Sequence, residues 1–181
     1  FFWAVQKYLE YTGDHEFVRS IMPQLREIIN SYSKGTRYNI HADGKDGLIT
    51  FGEKGSNLTW MDIKIGDWVA TPRYGKAGEI NALWYNALRF MQELESDTGM
   101  AAESAGYGSM ADKVKESFVR FWNVHEKSLY DVIDDPFTGR SDGKIRPNQI
   151  FALSLRKDLV PVDMQRSVLS VVERELVTPL G

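Results

Sequence analysis

Apolar and polar positions follow the three- and four-residue step of amphipathic helices in several windows of the chain. The first runs from about Phe2 to Tyr11, with Trp3, Val5, Tyr8, Leu9 and Tyr11 as its apolar or aromatic positions and Gly13 closing it. Asp14 is placed to cap a second helix reaching about Lys34, which turns Phe17, Val18, Ile21, Met22, Leu25, Ile28 and Ile29 inward. Pro23 kinks that helix or ends a first segment of it. Helical periodicity returns at about Ala77 to Glu95, at about Ser109 to His125, at a helix opening on Pro147, and at about Val162 to Leu176.

Two long connections separate these helices. The first, Gly35 to Gly75, holds the β-prone pieces RYNIHA and GLITFG on either side of the turn-forming DGKDG. The second, KSLYDVIDDPFTGRSDGKIR, leads to Pro147. Helices that begin near Lys76 and Pro147 lie about 71 residues apart, and one such step back lands near Val5, a structural period without sequence identity. The repeated order of two helices and a long loop predicts a curved array or closed toroid of α-hairpins, its long loops gathered at one rim beside helix N-termini. Unpaired N–H groups at that rim favour acceptor oxygens, so polar ligands are expected there.

Composition narrows the function classes. With 22 basic and 25 acidic residues the net charge is -3, and the basic residues are dispersed, which argues against nucleic acid as a partner. There is no cysteine, hence no disulfide framework, thiolate metal site or cysteine nucleophile, a usage that fits a cytoplasmic setting. No apolar run approaches the roughly 20 residues of a membrane span, so no membrane association is expected. Both ends, FFWAVQ and ELVTPLG, read as cuts from something larger, and an upstream leader would lie out of view.

The chemistry concentrates in NLTWMDIKIGDWVATPRYGKAGEINALWYNAL, residues 57 to 88. Trp60, Trp68 and Trp84 stand there among Asp62, Asp67, Arg73, Lys76 and Glu79. Trp84, with Leu83, Ala87 and Leu88, reads as core. Trp60 and Trp68 sit in a loop dense in Gly, Asp and Lys, and an aromatic plate beside carboxylates and an arginine matches the apolar face and hydroxylated edge of a sugar ring. Asp62, flanked by Trp60, Met61 and Ile63, is expected among apolar walls, the setting that keeps a carboxyl protonated and ready to donate. Its bland alternative is a turn cap.

Other motifs point to ordinary structure. DGKDG and DDPFTGRSDG lack the spacing and terminal glutamate of a calcium loop and read as acidic turns. His15, His41 and His125 are far apart without an HExxH pattern, so no zinc and no other metal or cofactor is expected. GKAGE and AGYGSMADK lack the order of a phosphate loop.

The run LTWMDIKIGDWVATPRYGKAGEINALWYNAL resembles the glycogen-debranching-enzyme family, in particular its amylo-α-1,6-glucosidase domain of the prokaryotic type. The upstream YLEYTGDHEFVRSIMPQLREIINSYSKGTRYNIHADGKDGLITFGEKG and the downstream KIRPNQIFALSL resemble the same domain, and the likeness weakens over about residues 100 to 128. The resemblance implies an all-α fold with short β pieces in long loops: a six-hairpin α/α barrel of which this single partial domain, 1–181, supplies about three hairpins. It further implies hydrolysis of α-1,6-linked glucose at glycogen or branched-glucan branch points, with inversion. On the TWMD match Asp62 is the general acid. Trp60, Trp68, Arg73, Lys76, Glu79, Asn81, Asn148 and Gln149 are candidates for lining the glucose subsite.

Inversion requires a second carboxylate about 6.5–9.5 Å from the first to activate water. The family resemblance places it past the end of this chain, with Asp67 and Glu79 as stand-ins, although Glu79 beside Arg73 and Lys76 equally reads as a structural ion pair. The isolated piece is expected not to turn over substrate, and its uncovered apolar helix faces predict dimerisation or poor solubility. Two alternatives stay open: a barrel hydrolase of another glucosidic bond, glucoamylase-like or trehalase-like, and a carbohydrate-binding domain without chemistry.

Overall fold

The computed structural model describes residues 1–179; Leu180 and Gly181, the end of the expected closing turn, lie outside the described residues. Helix α1, Phe2–Thr12, ends on Gly13, whose positive φ of 65° lets its N–H return to Leu9 O at 2.8 Å. Asp14 Oδ1 accepts the Phe17 N–H at 2.9 Å, as a cap should. The expected second helix is divided at Ile21 into α2, His15–Ser20, and α3, Met22–Lys34, with Pro23 tolerated in the first turn of α3.

In the first long connection, β1 (His41–Ala42) pairs antiparallel with β2 (Ile49–Thr50) across the DGKDG turn. A second hairpin joins β3 (Lys64–Ile65) to β4 (Trp68–Val69) around Gly66 and Asp67. Strand β5 (Lys76–Ala77) then leads into α4, Gly78–Asp97. Helix α5, Ala101–Phe118, folds back on α4 after a three-residue turn. It starts well before the expected Ser109, and it stops at Phe118, short of His125, where a 3-10 turn and β6 (Trp122–Asn123) take over. Of the glycines that make its first half look loop-like, Gly108 has a packing use: a Cβ there would stand 2.9 Å from Gln92 Nε2 of α4.

Strands β6 and β7 (Ser128–Leu129) form a third hairpin, and β8 (Val132–Ile133) crosses to pair with β5. A Cβ on Gly75, just before β5, would meet the carbonyl oxygens of Ile133 and Asp134 at 2.6 Å, so only glycine lets the two connections approach this closely. Pro147 opens a 3-10 turn, Pro147–Ile150, that runs into α6, Phe151–Ser154, and α7 spans Val162–Leu176 as expected. Helices α1, α3, α5 and α6 all pack on α4, whose Tyr85, Leu88 and Met91 are fully buried. The chain is mostly helical, with 54% helix and 11% strand. Because β5 pairs with β8 directly before α4, the two long connections meet at the N-terminus of its central helix.

Candidate functional site

Arg73 lies just ahead of β5, and its guanidinium is buried beneath the loop that carries Trp60 to Asp62. It donates to both oxygens of Glu79, at 2.5 and 2.6 Å, from the first turn of α4. On its other side it donates to both oxygens of Asp131, at 2.7 and 2.9 Å. A fifth bond, 3.2 Å to Thr59 Oγ1, uses the last N–H of the fork. One cation thus ties the loop before Asp62, the start of α4 and the second long connection into a single unit.

Two carboxylates on one buried cation leave excess negative charge, which Arg146 offsets from 3.2 Å of Asp131 Oδ2. Burial works against the Arg73 cation, but hydrogen bonds and charge from Glu79 and Asp131 outweigh it and hold its pKa above the ordinary arginine value. Asn148 Nδ2 donates to Asp131 Oδ1 at 3.1 Å and lies 3.5 Å from Met61 Sδ, so Met61 is seated on the clamp one residue before Asp62. Asn148 Oδ1 is buried without a partner among the described residues.

The other polar candidates take different places. Lys76 Nζ sits among Asp46, Asp43 and Asp134 at 2.6, 2.9 and 3.0 Å, a separate cage that Arg120 closes from outside through Asp46 and Asp134. Burial opposes the Lys76 ammonium, yet these carboxylates keep its pKa raised. Asn81 donates to Ile49 O and Ala77 O and accepts the Ile49 N–H, pinning β2 to α4. Gln149 accepts the Leu129 N–H and donates to Arg146 O, both at 3.1 Å. Arg73, Lys76, Glu79, Asn81 and Gln149 are therefore buried and engaged within the protein, and Glu79 takes its ion-pair reading.

Asp62 and the tryptophans do the reverse. Trp60 is 62% exposed, Ile63 65%, Ile65 67% and Trp68 61%, and Asp62 is exposed beside them. The apolar enclosure expected around the Asp62 carboxyl is absent among the described residues, because Met61 turns down onto Asn148 while its neighbours turn outward. Trp84, read as core, is buried and donates its indole N–H to Gly47 O at 3.1 Å.

Asp131, the hub of the clamp, escaped the sequence reading. A signal existed: an acid between Tyr130 and Val132 in the apolar run LYDVI, once buried, must find a cation.

A family model described as amylo-alpha-1,6-glucosidase matches residues 1–181. The chain belongs to the amylo-α-1,6-glucosidase family. A stretch of 71 residues is 42% identical to the glycogen debranching enzyme of Saccharomyces cerevisiae, covering 35% of this chain and 5% of that protein. Among solved structures, the family member is similar to a GH78 family rhamnosidase of Bacillus sp. GL1, with a TM-score of 0.70 and 19% identity over 98% of this chain and 17% of that one. This second likeness shows the fold alone. The chain thus spans a small fraction of either relative, within a glycoside-hydrolase-related family.

Among its described residues, no cluster of three or more His, Cys, Asp or Glu is arranged to hold a metal. No helix is long and apolar enough to cross a membrane.

Proposed function

We propose that the chain is part of the catalytic domain of a glycosidase that removes α-1,6-linked glucose from branched glucans, with Asp62 as general acid. The observation that carries this reading is the loop itself: exposed Asp62 shares it with exposed Trp60 and Trp68 while the residues beneath it are locked by five hydrogen bonds from one arginine. A sugar ring stacked on those tryptophans would cover Asp62 with its apolar face and displace water from it. The bound substrate would thereby supply the enclosure that raises a carboxyl's proton affinity.

Inversion needs a base on the far side of the ring. Glu79 is spent on Arg73, and Asp67 sits on the same hairpin as the acid. We place the base outside these 181 residues, consistent with the small share of each relative that the chain covers. The packing of α1, α3, α5 and α6 around α4 supports a portion of an α/α toroid. A carbohydrate-binding domain without chemistry is the second reading, favoured by the exposed, unenclosed Asp62.

The test is Asp62→Asn in the protein expressed at its full encoded length. Release of glucose from a branched limit dextrin should fall by about 10²–10⁴-fold, the usual share of general acid catalysis, with dextrin binding retained. Unchanged turnover would remove Asp62 from the mechanism. A wild-type protein that binds dextrin without releasing glucose would establish the second reading.

A further inference from the structure

Beside the clamp lies a hollow of about 250 Å³ between the Pro72–Tyr74 segment and the turn formed by residues 135–144. Arg73 and Tyr74 wall both this hollow and the crevice under Thr59 and Met61. The two spaces are neighbours that share these two residues as walls. We propose that this hollow is a distal saccharide subsite, holding a ring of the leaving glucan chain beyond the one joined to the bond cut at Asp62; the proposal rests on the glycosidase reading above.

The turn is built before any ligand arrives. Asp135 Oδ1 accepts the N–H groups of Phe137 and Thr138 at 2.8 and 3.2 Å, Gly139 N–H returns to Asp135 O at 2.8 Å, and Asp135 N–H reaches Arg140 O at 3.2 Å. Asp142 exchanges backbone bonds with Asp131 and Val132, both at 2.8 Å, which ties the turn to the clamp. At its tip Phe137 packs edge-on against Tyr74 with 5.1 Å between ring centroids, and Lys54 Nζ stands 5.5 Å from the Phe137 centroid. Tyr74 is held in turn by the Gly55 N–H on its hydroxyl at 3.0 Å. Such preorganisation lowers the entropic cost of binding.

The lining then indicates the ligand. Thr138, Arg140, Ser141 and Lys144 offer hydroxyls and cationic donors, and Asp135 and Asp142 offer acceptors. The Arg140 guanidinium makes no ion pair among the described residues, and Lys144 has only a loose one, 3.6 Å to Asp142. Donors and acceptors interleaved around an aromatic wall suit the adjacent hydroxyls of a sugar. An anion such as phosphate would meet two carboxylates on the same rim.

The experiment compares wild type with Arg140→Ala/Lys144→Ala and with Ser141→Trp, which fills the hollow, all at full encoded length. Maltotetraose binding is measured by titration, and KM and kcat are measured on isomaltose and on maltotetraose carrying one α-1,6-linked glucose. Both variants should bind maltotetraose about tenfold more weakly and raise KM for the branched oligosaccharide about tenfold, a loss typical of removed charged hydrogen bonds. Their kinetics on isomaltose should match wild type. Unchanged maltotetraose affinity in both variants, or a wild type that does not bind it, overturns the subsite. If inorganic phosphate binding is lost instead while maltotetraose binding stays, the hollow is an anion site and the proposal fails. If wild type binds maltotetraose, the variants weaken it and neither substrate is cleaved, the subsite stands and the glycosidase reading falls.

Discussion

The clamp under the loop and the loop above it share the stretch 57–88, the clamp adding Asp131 from the second connection, yet they follow opposite rules. In the clamp, Arg73, Glu79 and Asp131 are charged and almost wholly buried, with Arg73 paired to both carboxylates. In the loop, Trp60, Ile63, Ile65 and Trp68 are apolar and mostly in solvent. Ordinary partitioning would place them the other way round. Burying a charge costs several kcal/mol unless it is paired, so the clamp persists only because its geometry is complete. Exposing four large apolar side chains forfeits burial, so the loop is explained by something that covers it. The contrast separates what holds the site in place from what is left to bind.

Breaking the clamp should produce the larger effect. Arg73→Met strands two buried carboxylates and is expected to destabilise the fold by about 3–5 kcal/mol, read from urea unfolding. A change below about 1 kcal/mol would mean that the charges reach water and that the clamp anchors nothing.

Acid should weaken the neighbouring cage by a smaller amount. Asp43 is held below the usual carboxylate range by the Lys45 backbone N–H and by Lys76. Burial would raise Asp134, but Arg120 and Lys76 more than reverse that and leave it lowered. Each therefore ionises more readily folded than unfolded, where an aspartate titrates near about 3.9. Their contribution is whole above that value and disappears as pH falls through the folded values, because the unfolded chain then takes up protons first. The thermal midpoint should drop below about pH 4, and the drop should be shallower in Asp43→Asn/Asp134→Asn. Identical slopes for the two proteins would show that the cage does not contribute.

Least affected should be stability in Trp60→Ala and Trp68→Ala, within about 0.5 kcal/mol of wild type because neither ring is buried. Their consequence should appear in saccharide affinity, weakened about tenfold, which corresponds to about 1.4 kcal/mol. Lower melting with unaltered affinity per folded molecule would make them packing residues after all.

Much of the fold was legible locally. Gly13 and Asp14 marked a helix boundary because a left-handed closing residue and an N-cap carry their chemistry in one or two positions. Pro147 marked a helix start, and Pro23 a break in the second helix, for the same kind of reason. The start of α5 was missed since its glycines look like loop residues, and only for Gly108 does Gln92 of another helix occupy the space a side chain would take. In the site, the stretch 57–88 declared itself by composition and by its resemblance to a family. Its internal sorting did not.

By itself, then, the sequence determined the helices, the two long connections, the family and the stretch where chemistry gathers, because periodicity, caps and motifs are properties of neighbours along the chain. Only the tertiary structure decided that Arg73 pairs with both Glu79 and Asp131, that Lys76 enters a different cage, and that Asp62 stands in the open. Those outcomes depend on which charges meet across 58 positions of chain. Such pairing is set by the crossing of β5 and β8, and no local pattern encodes it.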